Sequence, residues 1–384
     1  MIRPVDINDF DHHYDKTKRE IGKANIVVAG KSGVGKSTLI NAIFQSELSR
    51  TGTGKRVTEN IIECSKDNIP VKIYDTVGLE IDKFQDFYKQ IVSLIDEKIK
   101  TRDQKQYIHC IWYCVNATSN RFEEAEENFL RRIAINENFK HIPIFLILTQ
   151  SYFKSNVEKF KKTIDSRDLP IKNIVSVVAL NMDGEGYSIA AYGCDELIEK
   201  TIYELDNFAK NAFAAATKLL KIKRKQARAI IMGASVSSSI SALAIPIPIA
   251  DLAVISASQM GMLTSITHIF GLDVDRKIIK TLIVTILGGG GGSIVTLSFI
   301  KMLPSIGTAI GSTAIAVVAP AMTYALGEAY LELLTQIWDG TLEKDMLENK
   351  MEFYKAKEIM MDLFSENYEK AKKADWNKMK KYIE

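Results

Sequence analysis

Cysteine is scarce in this chain, with four among 384 residues (Cys64, Cys110, Cys114 and Cys194). Because they are few and widely spaced, they exclude a disulfide framework for a chain of this length. Net charge is also nearly absent, since 50 Lys and Arg residues stand against 47 Asp and Glu residues. This balance gives no support to wholesale nucleic-acid binding or to an acidic substrate. The composition therefore predicts reduced thiols in a cytoplasmic protein.

The first residues lack the apolar run that a cleaved signal peptide needs. Residues 1–22 are polar, so we predict a solvated leader there. At roughly 150 residues per domain, a chain of 384 residues is long enough for two or three domains. The rest of the sequence therefore has to be divided by its pattern.

Short apolar runs alternate with amphipathic segments from Ala24 to about Asn207. The runs predicted as strands are Asn25–Ala29, Val71–Tyr74, Ile108–Val115, Ile142–Leu148 and Ile174–Val178. The segments predicted as helices are Lys36–Phe44, Phe84–Ile99, Glu123–Ile135, Val157–Ile164 and Asp195–Phe208. This alternation is typical of a doubly wound α/β domain with a mostly parallel sheet. We predict such a domain over residues 23–208.

The second half of the chain contains long stretches without charge. After about Leu220 a basic cluster, defined as Lys218, Lys221, Lys223, Arg224, Lys225 and Arg228, precedes them. The uncharged runs are Ala229–Ala250, Leu252–Leu272 (which includes His268), Thr281–Ile300 and Met302–Gly327. We predict an all-helical hydrophobic domain over residues 209–340 and a charged C-terminal helix over residues 341–384.

The run Gly30–Ser37 fits the pattern GxxxxGK[ST] in full, after a strand and before a helix. In this context glycines allow backbone N–H groups to converge on phosphate oxygens, and a helix N-terminus adds partial positive charge. The predicted phosphate-binding residues are Gly30, Lys31, Ser32, Gly33, Val34, Gly35, Lys36, Ser37 and Thr38. Lys36 would neutralise the β and γ phosphates, and the Ser37 hydroxyl would be a ligand of Mg²⁺. The sequence therefore predicts binding of a nucleoside triphosphate with magnesium.

Two further segments extend this site. Asp75-Thr76-Val77-Gly78 follows a strand, so the Asp75 carboxylate would hold Mg²⁺ through water and the Gly78 N–H would reach the γ-phosphate. The glycine-rich segment Thr51–Thr58 has neither a helix nor a strand pattern and is interpreted as a mobile loop. Its Thr58 is our candidate for a magnesium ligand sensitive to the γ-phosphate, with Thr51 and Thr53 as rivals.

Together these motifs resemble those of the translation-factor-related GTPases, in the Era-like and septin-like branches. The resemblance implies a P-loop GTPase domain that binds GTP and GDP, with Lys36, Thr58 and Gly78 in catalysis and Ser37, Thr58 and Asp75 at the metal. In that family a TKxD sequence reads the base, and the matching segment here is Thr149-Gln150-Ser151-Tyr152. Thr149, Gln150 and Ala179 are therefore the candidates for base binding. Because Tyr152 replaces the aspartate, guanine selectivity is implied by the family alone.

The family position after Gly78 often holds a glutamine that orients water, but Leu79 stands here. The resemblance therefore implies slow intrinsic hydrolysis. The orienting residue would come from an activating partner or from a homodimer, with Glu80 and Arg56 as candidates within the chain.

The prolines around Asp251 and the glycine run Gly288–Gly292 resemble the YcjF-type domain of unknown function, which implies a helical, membrane-associated domain. The uncharged runs are long enough to span a bilayer, and the basic cluster favours anionic lipid. Their Gly, Ser and Thr content, with a mean hydropathy of −0.02 for the chain, also fits a buried helical bundle.

We predict a switch on the cytosolic face of a membrane. The alternatives are a septin-like assembly with little turnover and an Era-like RNA-associated or ribosome-associated GTPase. Nucleic acid is disfavoured because no RNA-binding module follows.

The acidic residues Glu123, Glu124, Glu126 and Glu127 begin a predicted helix. Acidic side chains there interact favourably with the helix dipole, so a solvated face is the simplest interpretation. Cys110 and Cys114 lie within a predicted strand and are interpreted as buried thiols.

Overall fold

A computed structural model of the chain describes residues 7–44, 48, 55–58, 61–66, 69–76, 84–184, 186–244, 251–271, 280, 312–343, 350–374 and 376. Its contacts divide the chain into two compact units. One is Ile21–Leu219, here called the sheet unit. The other, here called the helical unit, combines Met1–Glu20 with Leu220–Glu384.

The sheet unit contains a seven-stranded sheet of order β2-β3-β4-β1-β5-β6-β7. Its strands are β1 (Ala24–Gly30), β2 (Lys55–Thr58), β3 (Ile61–Lys66), β4 (Ile69–Thr76), β5 (Cys110–Asn116), β6 (Ile144–Thr149) and β7 (Asn173–Ser176). Pairing is parallel from β4 through β1 and β5 to β7, and β2 and β3 are antiparallel additions at one edge. A small hairpin of β8 (Met182–Gly184) and β9 (Tyr187–Ile189) follows. The predicted mostly parallel α/β sheet is confirmed.

Helices accompany the sheet as the amphipathic pattern predicted. They are α2 (Lys36–Ile43), α3 (Phe84–Lys100), α4 (Glu124–Ile135), α5 (Lys154–Asp165), α6 (Cys194–Glu204) and α7 (Asn207–Ala216). The prediction of one helix over Asp195–Phe208 is wrong, because helical structure is interrupted between the end of α6 at Glu204 and the start of α7 at Asn207. Asp206 begins α7 and its carboxylate accepts a hydrogen bond from the Ala209 N–H at 2.7 Å. A capping side chain of this kind favours a new helix start.

The prediction of a loop over Thr51–Thr58 is wrong for its second half. Residues 55–58 form the edge strand β2, which pairs with β3 and carries a register shift between Arg56 and Thr58. Edge strands often carry charged and polar residues, which discourage further pairing along their unpaired N–H and C=O groups, so they lack the apolar run of an inner strand. Thr51 and Thr53 lie outside the described residues.

Asn25 fastens the first residues of β1 to the loop before β5. Its side-chain amide donates to the carbonyls of Lys105 at 2.9 Å and Tyr107 at 2.8 Å, while its backbone N–H donates to Nδ1 of His109 at 2.9 Å. Asn25 is 1% exposed, so these bonds replace the water that a buried amide would otherwise lose. These bonds hold the start of β1 in place, and the loop over residues 30–37 follows directly from the end of the same strand.

The helical unit has its own core. Its described helices are α1 (Ile7–Ile21), α8 (Leu220–Ala244), α9 (Asp251–Phe270), α10 (Ser312–Trp338) and α11 (Lys350–Ala371). Polar side chains are paired inside it: Thr267 and Tyr330 hydroxyls lie 2.7 Å apart, and Gln259 donates to Thr323 at 3.3 Å. Buried polar groups need such partners. The predicted all-helical second domain is confirmed for these residues.

The prediction of a solvated N-terminal leader is wrong for α1. Phe10 is fully buried in the core of the helical unit, and the Thr17 hydroxyl lies 3.3 Å from that of Thr264. Tyr14 lies against the His268 ring with centroids 4.3 Å apart. The segment is polar in composition, but its apolar residues lie on one side of α1.

The sheet unit extends beyond residue 208, where we predicted that the α/β domain ends. It includes α7, whose Phe213 contacts Phe44 and Trp112.

Three residues of the basic cluster are engaged by other protein groups. Lys223 is fully buried, with its Nζ donating to the Ile269 carbonyl at 2.6 Å and lying 4.7 Å from the Trp338 ring centre. Burial lowers the pKa of Lys223 well below its ordinary value. Arg224 pairs with Glu332 at 3.0 Å and Arg228 with Glu328 at 3.2 Å. These pairings leave the cluster less positive charge for anionic lipid than the sequence predicted.

Among the described residues, no helix combines the length and the apolar character needed to cross a bilayer. The predicted runs Thr281–Ile300 and residues 302–311 lie outside those residues, as does Gly288–Gly292.

Candidate functional site

The candidate site lies where neighbouring parallel strands of the sheet end. β1 ends at Gly30, which is in register with Cys114 of β5, and Val28 is in register with Asp75 near the end of β4. Further along, Asn116 of β5 is in register with Thr149, the last residue of β6. The carboxyl ends of strands in an open parallel sheet are the usual place for ligands. The sheet therefore brings together the phosphate loop (residues 30–37), Asp75 and the segment that begins at Thr149.

Lys36 begins α2 and points back into the phosphate loop. Its Nζ donates to the carbonyls of Gly30 at 2.9 Å and Lys31 at 3.0 Å, and the residue is 7% exposed. Burial lowers the pKa of the Lys36 ammonium below its ordinary value, and the negative charge of Asp75 partly offsets this shift. An ammonium has three N–H donors, and these two bonds use two of them. The Asp75 carboxylate thus interacts electrostatically with the Lys36 ammonium.

The loop glycines adopt conformations that other residues avoid. Gly33 and Gly35 have φ values of +73° and +94°, and Gly30 has +140°. A Cβ on Gly30 would lie 2.3 Å from the Cys114 carbonyl oxygen, whereas one on Gly33 would meet no protein atom within 4 Å. Gly30 is therefore required by the sheet, while Gly33 faces open space at the site.

The remaining loop side chains divide into two groups. Ser32, Ser37 and Thr38 are exposed, as is Gly33. Lys31 instead turns toward α4, where its Nζ lies 3.1 Å from Oε2 of Glu126. Its main chain can still contribute to a phosphate cradle, but its ammonium is paired with protein. Val34 is buried.

Thr58, a predicted magnesium ligand, contacts helix α3. Its hydroxyl donates to Oε1 of Gln90 in α3 at 2.7 Å. This bond uses the proton of the hydroxyl and directs it toward α3. Gly78, Leu79 and Glu80 lie outside the described residues, and so does the Arg56 side chain.

The segment predicted to read the base contacts the phosphate loop directly. The Thr149 hydroxyl lies 2.5 Å from the Val34 carbonyl oxygen and 3.0 Å from that of Val115, and Thr149 is buried. Gln150, with φ +52°, reaches the Gly33 carbonyl with Nε2 at 3.3 Å. Thr149 and Gln150 thus both connect the end of β6 to the phosphate loop. Ala179 is half-buried beyond β7.

Sequence reasoning missed Glu126. The prediction of a solvated acidic face is wrong here, because Glu126 is 1% exposed. Its Oε2 accepts the Glu123 N–H at 2.9 Å, and its Oε1 accepts the Tyr113 hydroxyl at 3.2 Å. A glutamate three residues after a helix start is a known capping pattern, and this spacing was the available signal. Its pairing with Lys31 required the tertiary structure.

Two family models match the chain. One, described as the 50S ribosome-binding GTPase family, matches residues 25–150. The other, described as a domain of unknown function (DUF697), matches residues 209–357. The first range contains the phosphate loop, Asp75 and Gln150.

Similar proteins include magnetosome membrane protein 22 of Magnetospirillum gryphiswaldense, 27% identical over 25% of this chain and 52% of its own length. Septin-8-B of Xenopus laevis is 29% identical over 37% of this chain and 38% of its own length. The chain thus spans about half or less of the curated relatives it matches. The crystal structure of a probable GTP-binding protein, EngB, covers 47% of this chain and 97% of its own at 22% identity and a TM-score of 0.33. The family matches show that this chain joins a P-loop GTPase domain to a C-terminal DUF697 domain of the YcjF type.

Proposed function

We propose that the sheet unit binds GTP with Mg²⁺ at the phosphate loop and hydrolyses it slowly as a nucleotide-dependent switch. The buried Lys36 ammonium carries this proposal. It is held by the carbonyls of Gly30 and Lys31 and keeps one donor for a phosphate oxygen. An ammonium is buried at a free-energy cost, which a bound triphosphate offsets by charge-assisted hydrogen bonds.

The residues present fit a magnesium ion. The exposed Ser37 and the strand-end carboxylate of Asp75 are oxygen donors of the kind that Mg²⁺ prefers. Beside Asp75, the Thr76 hydroxyl is buried and has no hydrogen-bond partner among the described residues, which fits a ligand-binding edge. When bound, the ion would neutralise charge on the β and γ phosphates. Thr58 stays a candidate ligand, because a hydroxyl that donates its proton to Gln90 can still offer an oxygen lone pair to the ion.

The proposal of guanine rests on the GTPase family. Gln150 replaces the family lysine and reaches the loop, but Tyr152 stands where an aspartate would accept the guanine N–H groups. Slow hydrolysis is proposed because Leu79 has no polar group to orient water. A partner, or a second copy of the chain, would then accelerate turnover.

Calorimetric titration of the full chain with GTP and ATP, with and without Mg²⁺, tests this site. We expect GTP to bind at least about tenfold more tightly than ATP, since a polar base contact contributes about 1.5 kcal/mol or more. Removing Mg²⁺ should weaken binding, and steady-state turnover should be on the order of 10⁻³ per second without a partner. Equal affinity for the two nucleotides would defeat the guanine assignment. Absence of binding by either would defeat the proposed function.

We also propose that the helical unit attaches the switch to a membrane on its cytosolic side. Support comes from the uncharged runs around Thr281–Ile300 and from the name of the magnetosome relative. The burial of Lys223 and the ion pairs of Arg224 and Arg228 reduce the electrostatic attraction to anionic lipid. Apolar contact would therefore supply most of the attachment.

Flotation of the full chain with phosphatidylcholine vesicles, with and without phosphatidylserine, tests attachment. We expect the protein to float with both compositions and to resist a carbonate wash, because apolar insertion is insensitive to charge. Flotation only with the anionic vesicles would indicate electrostatic binding instead. Protein that remains in the bottom fraction throughout would contradict membrane association.

The septin similarity favours a second candidate, an assembly that the nucleotide stabilises with little turnover. Light scattering during the nucleotide titration distinguishes the two. Nucleotide-dependent polymerisation without multiple turnover would support the assembly and count against the switch.

A further inference from the structure

The phosphate loop is anchored to α4 through the ammonium of Lys31. Lys31 Nζ lies 3.1 Å from Glu126 Oε2, and the two side chains are 24% and 1% exposed. Glu123, at the start of α4, is more distant, with its Oε1 at 3.9 Å from the same ammonium. An ion pair with one fully buried partner is less screened by solvent than a surface pair. This contact therefore differs from ordinary surface ion pairs of the domain.

Glu126 is itself held on two sides. Tyr113 of β5 donates its hydroxyl to Oε1, and the Glu123 N–H donates to Oε2. The buried carboxylate also raises the pKa of Tyr113, after the larger effect of burial. A buried carboxylate is stable only with such partners. Its position is therefore set by β5 and by the start of α4, two rigid elements.

The same loop residue also positions Lys36. The Lys31 carbonyl accepts a hydrogen bond from Lys36 Nζ at 3.0 Å. Lys31 is thus fixed by its side chain to Glu126 and contacts the phosphate-binding ammonium with its main chain. Because the loop contains glycines with positive φ at Gly33 and Gly35, it has little intrinsic stiffness. An outside anchor is the physical means of keeping such a loop in one conformation.

We infer that Glu126 is a positioning residue for the phosphate loop, acting through Lys31 to preorganise the carbonyls that hold Lys36. This inference rests on the proposed nucleotide binding. Lys31 contributes to the site through its position and its main chain, while its charge is neutralised by Glu126. The loop then pays less conformational entropy when the triphosphate binds.

The test uses Glu126→Gln and Lys31→Met in the full chain, with affinity for a fluorescent GTP analogue and apo-protein thermal stability as readouts. The glutamine carbonyl oxygen can still accept the Glu123 N–H, and its NH2 group can donate to the Tyr113 hydroxyl oxygen, so α4 keeps its start. We expect each variant to lower nucleotide affinity about tenfold, as for displaced supporting groups. The double variant should be no weaker than either single variant, because both remove one interaction. Lys31→Arg should restore affinity.

The matched control is Glu127→Gln. Glu127 is the next residue of α4 and pairs with Arg131 at 2.9 Å and Arg167 at 3.1 Å, away from the loop. Its loss should leave nucleotide affinity unchanged even where stability falls. If Lys31 contacts phosphate directly, Glu126→Gln will leave affinity unchanged or raise it, which overturns the inference. Additive losses in the double variant also overturn it. If Glu126→Gln fails to fold, comparison of Lys31→Met with Lys31→Arg decides. Failure of the unmodified chain to bind would instead contradict the proposed function.

Discussion

Lys36→Ala should lower nucleotide affinity by about a hundredfold or more. The substitution removes a buried ammonium whose remaining donor we assign to a phosphate oxygen. Losing one partner of a buried charge pair costs about 2–5 kcal/mol, and each 1.4 kcal/mol is a factor of ten. Calorimetric titration with Mg·GTP measures the effect directly.

This loss should not come from unfolding. Burial lowers the pKa of Lys36, so the folded site disfavours the charged form that the unfolded chain prefers. At neutral pH the charged side chain therefore reduces the stability of the apo protein, and alanine removes that penalty together with two hydrogen bonds. Circular dichroism of the variant should accordingly show a folded apo protein.

Lys218→Ala is the matched control. Lys218 is also in the sheet unit, and its Nζ also donates to a backbone carbonyl, that of Asn41 at 2.6 Å, but in an exposed position. Its removal should leave affinity within about twofold, as expected for a screened surface charge. Unaltered nucleotide binding by a folded Lys36→Ala protein would refute the assignment of the phosphate loop.

The second prediction with a large expected effect concerns alanine substitutions at two glycines of the phosphate loop, Gly30 and Gly33. Gly30→Ala should lower the free energy of unfolding of the sheet unit by about 3 kcal/mol or more, because its Cβ would lie 2.3 Å from the Cys114 carbonyl oxygen. β1 and β5 are paired at this position, so neither backbone can move alone. Hydrogen exchange of β1 and β5 in urea measures the stability of this unit specifically.

Gly33→Ala is the comparison. Its Cβ would meet no protein atom, so only the positive φ is penalised, by about 1–2 kcal/mol. We expect this variant to fold and yet to bind nucleotide poorly, because the new methyl group occupies the space that the phosphates need. Equal destabilisation by the two substitutions would contradict the tight approach at Gly30. Normal affinity of Gly33→Ala would contradict a phosphate at that position.

The strands and the phosphate loop were predictable because their signals are local. The apolar runs at Asn25–Ala29 and Ile142–Leu148 carry β-rich, uncharged sequence, and both became central strands. β2 was not predictable, because Lys55-Arg56-Val57-Thr58 becomes a strand only by pairing with β3. Local pattern specifies elements that are covered on both faces better than elements at a sheet edge.

The burial of certain polar residues was also not predictable from the sequence. Glu126, Lys223 and Thr17 all have sequence contexts typical of a solvated surface, yet all are buried. Each is buried because a partner comes from a distant part of the chain: Lys31, the Ile269 carbonyl and Thr264 respectively. Such pairings cannot be read from composition or period. The contact of the Thr149 hydroxyl with the Val34 carbonyl is a further long-range pairing, and the role of Thr149 at the base stays a prediction.

The division of the chain means that the GTPase domain is inserted between the first helix of the helical unit and the remainder. A polypeptide beginning at Leu220 would lack Phe10, which is fully buried in the core of that unit, and would expose apolar surface to water. The C-terminal domain therefore should be produced with residues 1–20 supplied as a separate peptide or fused ahead of Leu220. Deleting residues 1–20 therefore removes part of the helical unit.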